Sequence, residues 1–519
     1  MPVKALVKRN SYYDSVTLLL VASAMSEVPD IATASAVMAT ALNLEQLRTG
    51  GLLAANGLGD VGPNDLVLAV HAGTEAAADA ALARALARLE GPERGGSTPG
   101  AGAAPRRPHS LAAAVAAQPE TNLVVISVPG PFAWIEAEEA IRAGLHVLLF
   151  SDNVPIAEEV RLKSLARERG VLLMGPDCGT AILNGIGLGF ANVVRRGPIG
   201  AVGASGTGLQ QVTCLVDALG SGISQAIGTG GRDLRAEVGG LTMLTAIEAL
   251  GADPETRVLA LVSKPPAPEV QQRVLEAASA TGKPTVAIFL GGDASRDVPR
   301  GVRIAPTLED AARCAVEMAG GADGAAPLPG ASDAAVAEAR DKLRPGQRFV
   351  RGPFSGGTLC EEALLLLSAG LGDVYSNLPV HPALVLPDPT RSRGHTLVDL
   401  GADEFTVGRP HPMIDPTLRD ERLLEEAADP ETACLLFDVV LGYGAHPDPA
   451  STLAPVLHEV RQRTASAGRF VPVILSLCGT DADPQGLARQ AAALADAGAL
   501  VFRANAAAAR AALAIVGGR

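Results

Sequence analysis

Short aliphatic runs alternate with amphipathic, Ala-rich and Glu-rich stretches along almost the whole chain. A strand buried on both faces of a parallel sheet reads as such a run, and the amphipathic stretch that follows reads as its crossover helix. Aromatic residues make up only 3% of the sequence, so Ala, Val, Leu and Ile must supply the cores. The pattern predicts the α/β fold class with doubly wound parallel sheets, and 519 residues are too many for one core.

Three doubly wound modules account for the order of these runs. We predict domains at residues 1–196, 197–320 and 348–519, with a linker at 321–347. Residues 91–110 are dense in Gly, Pro and Ser without periodicity, which indicates a flexible loop inside the first module. The predicted strands are Val3–Val7, Asp65–Val70, Leu123–Val128, Val147–Phe150, Val171–Met174, Ile199–Gly203, Ser224–Gly228, Val258–Val262, Thr285–Leu290, Phe349–Gly352, Leu397–Leu400, Ala433–Val440, Val471–Leu477 and Leu500–Phe502.

The net charge and the cysteine content limit which partners and which cellular compartment can be expected for the protein. A net charge of −13 argues against a nucleic-acid partner, because neutralising phosphates requires clustered Lys and Arg. The six cysteines are scattered without a CxxC pair, which is typical of a reduced, cytoplasmic protein without a disulfide framework or a zinc site. No segment reaches about 18 uninterrupted apolar residues, so no membrane span is expected. The first residues are better explained by a strand and a helix than by a signal peptide.

The first candidate ligand-binding turn is Gly203-Ala-Ser-Gly-Thr-Gly, between a predicted strand and a predicted helix. Gly206 and Gly208 permit positive φ and the close approach of a ligand. Ser205 and Thr207 can cap the helix or donate hydroxyls to an oxyanion, and the free N–H groups with the helix dipole favour a negative charge. The alternative is a tight turn with an ordinary Ser or Thr cap.

Two further turns follow strands in the same way. The candidate phosphate- or anion-binding residues in them are Asp177, Cys178, Gly179, Thr180, Gly230, Gly231 and Arg232. Arg232 adds a donor that can hold an oxyanion bidentately. Since open α/β sheets bind ligands at the carboxyl ends of their strands, three such turns favour a binding site. None of the three turns contains a GxxxxGK[ST] loop or a clean GxGxxG, so a generic nucleotide site is not supported there.

Two residues near these turns allow a functional and a structural interpretation. Cys178 lies at a predicted helix start, where a thiolate would be stabilised. Because no histidine is close in sequence, a packed thiol is the preferred interpretation. Lys264, in Val262-Ser-Lys-Pro-Pro, ends a strand where it can reach an anion, and a solvated lysine at a Pro-rich strand end is the equal alternative.

The densest polar stretch lies in the third module and contains Arg409, His411, Asp415 and Arg419. Its prolines preorganise the loop at a low entropic cost. Two arginines and a histidine can bind a carboxylate while Asp415 orients one of them. The alternative is a salt-bridged loop that docks two domains.

These stretches together resemble the FdrA family over essentially the whole chain. The matching motifs are Tyr13-Asp-Ser-Val-Thr-Leu, Phe150-Ser-Asp-Asn-Val, Met174-Gly-Pro-Asp-Cys-Gly-Thr, Gly203-Ala-Ser-Gly-Thr-Gly, Gly230-Gly-Arg-Asp-Leu, Val262-Ser-Lys-Pro-Pro and Gly408-Arg-Pro-His-Pro-Met-Ile-Asp-Pro-Thr-Leu-Arg. Their length and specificity identify the chain as a member of that family.

The FdrA family is similar in turn to the succinyl-CoA synthetase α subunit and other NDP-forming acyl-CoA synthetases. This resemblance implies an N-terminal CoA-binding-like Rossmann domain followed by two flavodoxin-like, succinyl-CoA synthetase-like domains. The ligases relay phosphate through a histidine in a Gly-His-Ala-Gly loop of their second module. Here no histidine occurs between His146 and His381, and the corresponding stretch begins at Phe289. A phosphohistidine relay in that module is therefore impossible, and an acyl-CoA synthetase assignment would rest on fold alone.

FdrA-type proteins are also associated with anaerobic allantoin breakdown, as a subunit of an oxamate carbamoyltransferase. The resemblance implies that oxalurate and phosphate give carbamoyl phosphate and oxamate. Such a transfer requires positioning, oxyanion donors and a proton shuttle, without a metal or a redox cofactor. The Gly-rich turns would seat phosphate, Arg232 or Arg409 would hold the carboxylate, and His411 would move the proton near neutral pH.

Three functions are compatible with the sequence. The first is the carbamoyltransferase subunit, the second an acyl-CoA ligase with altered chemistry, and the third a non-catalytic scaffold that senses an anion. The expected partners are small anionic substrates and other carbamoyltransferase subunits. No cofactor is expected, and no cluster of basic residues for the CoA phosphates is seen near the strand ends of the first module.

Overall fold

The computed structural model describes residues 2–13, 15–53, 58–90, 108–292, 297–321, 327–406 and 409–517. These residues form two separately packed units: Met1–Ala114 with Gly401–Asp415, and Val115–Leu400 with Pro416–Arg519. Most of the loop predicted at 91–110 lies outside the described residues, as do residues 293–296 in the stretch that begins at Phe289. Among the described residues, no helix is both long and apolar enough to cross a bilayer.

The first unit is built around a three-stranded antiparallel sheet. Its N-terminal elements are β1 (Val3–Lys8), α1 (Ser15–Ser26), β2 (Ile31–Met38), α2 (Ala41–Thr49), β3 (Leu66–Ala72) and α3 (Glu75–Glu90). The strand order is β1-β3-β2, and β3 pairs antiparallel with both neighbours. Leu66, Leu68 and Val70 pack against α1 and α3, whereas Val67 and Ala69 pack on the opposite face with α2. Both faces of β3 are therefore covered, which explains its continuous aliphatic sequence.

This antiparallel sheet differs from the doubly wound module predicted for residues 1–196. The strands β1 and β3 lie where they were predicted, but β2 is an additional strand. Its sequence, Ile31-Ala-Thr-Ala-Ser-Ala-Val-Met, is dominated by small residues and so lacks the aliphatic run. Alternation of strands and helices also does not specify strand direction, which tertiary pairing decides.

The second unit begins with a small parallel sheet of order β4-β5-β6 and continues into a seven-stranded sheet of order β13-β12-β11-β9-β10-β7-β8. The elements in chain order are α4 (Leu111–Ala117), β4 (Leu123–Ile126), α5 (Gly130–Arg142), β5 (His146–Leu149), α6 (Ile156–Arg169), β6 (Leu173–Met174), β7 (Thr180–Leu183), β8 (Ile186–Gly189), β9 (Arg196–Ala204), α7 (Gly206–Ala218), β10 (Ile223–Gly228), α8 (Leu241–Ala252), β11 (Val258–Ser263), α9 (Pro268–Ala280), β12 (Thr285–Phe289), β13 (Val302–Ile304) and α10 (Leu308–Met318).

A parallel six-stranded sheet of order β15-β16-β14-β17-β18-β19 completes the second unit. The remaining elements are α11 (Asp333–Asp341), β14 (Phe349–Phe354), α12 (Gly357–Leu371), β15 (Val374–Tyr375), β16 (His395–Asp399), α13 (Asp403–Thr406), α14 (Thr417–Ala428), β17 (Thr432–Val440), α15 (Pro449–Ser466), β18 (Val473–Cys478), α16 (Leu487–Asp496), β19 (Ala499–Phe502) and α17 (Asn505–Val516). The α13 helix belongs to the segment that packs with the first unit.

The α/β fold class is confirmed, and every strand predicted between residues 123 and 502 overlaps an observed strand. The hairpin β7–β8 is an exception to the predicted organisation, because it extends the second sheet across the boundary predicted at residue 197. Its turn is Asn184-Gly185, and both residues have positive φ, 51° and 82°. These values are typical of the two-residue hairpin turn that favours Asn-Gly.

Candidate functional site

The carboxyl ends of β9, β10 and β11 meet at one edge of the seven-stranded sheet. Gly203 of β9 is in register with Gly228 of β10 and with Val262 of β11. The turn 203–208, the turn 228–232 and Lys264 therefore leave the sheet side by side. This is the edge at which open α/β sheets bind ligands.

The turn that contains Cys178 reaches the same edge through β7. Ala226 of β10 pairs with Ile182 of β7 in antiparallel register. A methyl group on Gly206 would lie 3.5 Å from the Thr180 Oγ1, and one on Gly230 would clash with the backbone oxygen of Pro176. The structure thus places the three predicted turns in mutual contact.

A second helix start completes the site and was absent from the predicted residues. Ser205 caps α7, because its Oγ accepts a hydrogen bond from the Gly208 N–H at 3.0 Å. The same Oγ lies 2.7 Å from the Thr358 Oγ1 in the first turn of α12. A methyl group on Gly356 would lie 2.9 Å from the Thr207 Cγ2.

Two helix N-termini therefore lie next to each other, and we call Ser205–Gly208 with Ser355–Thr358 the cradle. A helix N-terminus has N–H groups without partners inside the helix, and it is the positive end of the helix dipole. One such end already favours an anion, and two that converge reinforce the preference. The signal for the second helix is in the sequence, because Pro353-Phe-Ser-Gly-Gly-Thr echoes the turn at 203–208.

Carboxylates approach the cradle from the six-stranded sheet. Asp399 ends β16 in register with Phe354, immediately before the cradle. Asp438 of β17 is fully buried, and its Oδ1 accepts a hydrogen bond of 2.6 Å from the Ser355 N–H. Its Oδ2 and the Ser355 Oγ are buried without a hydrogen-bond partner among the described residues. Burial, assisted by the charge of Asp399, raises the pKa of Asp438 to about 6, while the charge of Arg419 opposes the rise.

Lys264 supplies a cation beside the start of α12, near Asp399. Its Nζ lies 3.7 Å from the Glu361 Oε2, and about a third of the lysine side chain remains exposed. A methyl group on Gly357 would lie 3.4 Å from the Nζ and 2.5 Å from the Asp399 Oδ2. Burial raises the pKa of Glu361, and the Lys264 charge opposes that rise. Lys264 thus borders the cradle and pairs with Glu361.

Cys178 and Arg232 are engaged by the protein itself. Burial raises the pKa of the Cys178 thiol to about 12, which keeps it protonated and agrees with the packed-thiol interpretation. The Arg232 Nη2 donates to the Val154 carbonyl at 2.7 Å and pairs with Glu159 at 2.8 Å. Because Arg232 is held by these partners, it is less available to grip a substrate carboxylate than the sequence suggests.

A buried ion network fixes the turn after β10. The Lys163 Nζ lies 2.7 Å from the Asp233 Oδ1, 3.1 Å from the Glu159 Oε1 and 2.9 Å from the Thr229 carbonyl. Lys163 and its two carboxylate partners have fully buried side chains. Asp233 also accepts from the Met243 N–H at the start of α8. The network ties α6 to the turn that carries Gly230 and Gly231.

Arg409, His411 and Asp415 belong to the segment that packs with the first unit. The His411 Nδ1 accepts a hydrogen bond from the Met413 N–H at 3.2 Å. Burial lowers the pKa of His411 to about 4, so its imidazole is neutral at pH 7. A proton shuttle near neutral pH requires a pKa near 7, and this environment makes His411 a weaker base than the sequence analysis assumed.

Family models match three parts of the chain. The model described as AllF, heavy metal-associated domain, matches residues 1–105, the CoA binding domain matches 195–291, and the CoA-ligase matches 354–515. The CoA-binding match falls on the module of β9 to β12, whereas a CoA-binding-like domain was predicted at 1–196. The latter two matches contain the two halves of the cradle.

The residues of the N-terminal match do not fit a heavy metal. Soft metals select thiolate and thioether ligands, but residues 1–105 contain no cysteine and a single histidine, His71. The side chains of Met25 and Met38 are buried in the apolar core. Among the described residues, no group of three His, Cys, Asp or Glu side chains is placed to hold a metal ion.

Several known proteins are similar to the chain. The succinate–CoA ligase α subunit of Aquifex aeolicus is 30% identical over 33% of this chain and 56% of its own length, and the α subunit 2 of Archaeoglobus fulgidus is 30% identical over 28% and 50%. The chain thus spans about half the length of these ligase relatives. A dinucleotide-forming acetyl-coenzyme A synthetase of Ca. Korarchaeum cryptofilum aligns with a TM-score of 0.31 at 16% identity, covering 76% of this chain and 82% of its own.

The uncharacterized protein YahF of Escherichia coli K12 is 42% identical over 96% of both chains. The chain therefore belongs to the family of YahF, with CoA-binding and CoA-ligase domains related to those of the succinate–CoA ligases.

Proposed function

We propose that the chain is a subunit of a carbamoyltransferase that converts oxalurate and phosphate into carbamoyl phosphate and oxamate. The observation that carries this proposal is the cradle, where Ser205 and Thr358 join two helix N-termini at 2.7 Å. A cradle of backbone donors suits a phosphate group. The match of residues 1–105 to the AllF model supports a place in allantoin breakdown.

The transfer needs only positioning and proton movement. An oxygen of hydrogen phosphate attacks the carbamoyl carbon, the bond from that carbon to the oxamate nitrogen breaks, and the proton lost by phosphate passes to that nitrogen. The cradle would seat the phosphate, and Lys264 would neutralise charge at its edge. Holding the two reactants together in this way can supply about 7–11 kcal/mol of the barrier.

The other predicted residues keep roles that remain proposals. The predicted roles of Arg409, which would hold the substrate carboxylate, and of Asp415, which would orient the loop, rest on the sequence alone, and both residues belong to the first unit. His411 would act as a neutral hydrogen-bonding group and not as a titrating shuttle, given its lowered pKa. Asp177, Gly179 and Thr180 would line the phosphate side of the site.

An acyl-CoA synthetase is the second candidate, favoured by the CoA-binding and CoA-ligase matches. The same cradle would then hold the phosphate of an acyl phosphate. The histidine that relays phosphate in these ligases has no counterpart between His146 and His381. We therefore place the carbamoyl transfer first.

The test is an assay for carbamoyl phosphate on the protein purified with its natural partners. Oxalurate and phosphate are supplied in one reaction, and ATP, CoA and small carboxylic acids in another. Phosphate-dependent formation of carbamoyl phosphate, lost in Gly356→Ala and retained in Gly62→Ala, is the expected result. Gly62 is a suitable control because a methyl group there meets nothing within 4 Å. CoA-dependent ATP turnover without carbamoyl phosphate would favour the synthetase instead.

A further inference from the structure

Asp438 has a carboxylate oxygen that no protein donor satisfies. The side chain is fully buried, and the Oδ1 is occupied by the Ser355 N–H at 2.6 Å. The Oδ2 has no hydrogen-bond partner among the described residues. Buried polar atoms are nearly always paired, so an exception calls for a functional explanation.

The unpartnered oxygen faces the cradle. A methyl group on Gly356 would lie 2.9 Å from the Asp438 Oδ2 and 2.9 Å from the Thr207 Cγ2. Gly356 is the N-cap residue of α12, and Thr207 lies in the first turn of α7. The Oδ2 and both helix starts therefore border the same glycine. The nearby Ser355 Oγ is also buried without a partner.

An ionised carboxylate here conflicts with an anion in the cradle. Two negative charges about 4 Å apart repel by about 4 kcal/mol at the effective dielectric constant of a protein surface. A proton placed between the two oxygens removes the repulsion and turns it into a hydrogen bond. Pairs of acids in such sites commonly share one proton.

We propose that an oxyanion bound in the cradle shares one proton with the Asp438 Oδ2. When the oxyanion carries no proton, Asp438 takes one from solvent as the ligand binds. When the oxyanion is hydrogen phosphate, its own hydroxyl supplies the proton and no uptake is required. This inference rests on the proposed oxyanion site and adds a proton to its binding equilibrium.

Other ionisable groups near Asp438 set the conditions of this exchange. Arg419 of α14 and Asp399 of β16 act on it with opposite signs. The Cys360 thiol is close enough to interact with the same carboxylates, because burial, Asp399 and Asp438 all raise its pKa. Lys264 and Glu361 complete the set on the side of α12.

Isothermal titration calorimetry with sulfate tests the proposal, because sulfate stays fully ionised between pH 6 and 8. Titrations of the complete protein in buffers of different ionisation enthalpy count the protons taken up. We expect close to one proton per sulfate at pH 7.5, and affinity that falls about tenfold per pH unit above pH 7. Asp438→Asn should bind sulfate without proton uptake and with little dependence on pH.

Each outcome separates the claims. Sulfate that binds without proton uptake in the wild-type protein overturns the shared proton and leaves the oxyanion site standing. Sulfate that fails to bind at any pH overturns the site and the inference together. Uptake that persists in Asp438→Asn but disappears in Asp399→Asn assigns the proton to Asp399 and refutes the role of Asp438. The wild-type measurement decides the first two points even where a variant does not fold.

Discussion

Replacing Asp438 by Asn should remove a pH-dependent cost of folding. The variant should therefore gain stability relative to the wild-type protein as the pH rises from acidic to neutral. The buried carboxyl group has a pKa near 6 instead of the ordinary 3.8. A difference of about two units corresponds to about 3 kcal/mol of folding free energy when the group is fully ionised. Asn retains the acceptor for the Ser355 N–H but cannot ionise, so the variant escapes this penalty.

The sign follows from which state holds the proton more tightly. The folded protein keeps the Asp438 proton to higher pH than the unfolded chain, because burial disfavours the carboxylate. The penalty is absent below the unfolded pKa, grows between about pH 4 and pH 6, and is complete above pH 6. We therefore expect the wild-type protein to lose about 1.5 kcal/mol more than the variant between pH 5 and pH 8. A buried Asn amide without a partner adds a cost of about 1–3 kcal/mol that does not vary with pH.

Differential scanning calorimetry across pH 5–8 measures this difference. For a unit the size of the second one, 1 kcal/mol moves the midpoint by about 1 °C at the usual unfolding entropy of about 2.1 cal/mol/K per residue, so the difference between the two midpoints should change by about 2 °C across this pH range. Asp388→Asn is a matched control, because hydrogen bonds from Thr390 lower the pKa of this exposed carboxyl group. Its effect should be small and of opposite sign. Parallel midpoint curves for wild type and Asp438→Asn would refute the assignment of a raised pKa to Asp438.

Three further changes test other parts of the structure. Gly356→Ala should abolish oxyanion binding, because the added methyl group would lie 2.9 Å from both the Asp438 Oδ2 and the Thr207 Cγ2, whereas Gly62→Ala should leave binding unchanged. Calorimetric measurement of sulfate binding in both variants decides this. Lys163→Met leaves the fully buried Asp233 without its cation and leaves Glu159 with Arg232 alone, so it should destabilise the second unit by about 3–5 kcal/mol, measured by chemical denaturation; an unchanged midpoint would contradict a buried network. Cys178, with a thiol pKa of about 12, should resist iodoacetamide in the native protein at pH 8 while the partly exposed Cys314 reacts, and mass spectrometry that finds Cys178 labelled first would overturn its burial.

Most of the second unit could be predicted because its strands are short, aliphatic and buried on both faces. The run Val258–Ser263 is fully buried and was predicted almost to the residue. The strand β2 was not predicted, because its many Ala, Ser and Thr residues do not form an aliphatic run. Its pairing with β3 holds it in the sheet. The hairpin β7–β8 was not predicted either, although Asn184-Gly185 is a strong local signal for a hairpin turn.

The candidate site was predicted in part. Turns at strand ends reveal where N–H groups are exposed, so Ser205 to Gly208 could be selected from the sequence. The ion pair of Arg232 could not be predicted, because its partner Glu159 lies more than seventy residues away on α6. Burial likewise sets the states of Cys178 and His411, and burial is a property of the folded protein. The role of Thr358 depends on contact between two distant turns, and the similarity of their sequences does not show that they meet.

The asymmetry of the cradle bears on which oxyanion it should prefer. The α7 side presents a helix N-terminus capped by Ser205, whereas the α12 side has Asp438 behind it with one unpartnered oxygen. Hydrogen phosphate matches both sides, because its ionised oxygens accept from the donors while its hydroxyl donates to the carboxylate. Sulfate matches only when Asp438 has been protonated, so discrimination in favour of phosphate should grow as the pH rises. In the carbamoyl transfer that we propose, the proton held in this way is the one that passes from phosphate to the leaving nitrogen, so anion selection and proton delivery would both depend on one buried carboxyl group.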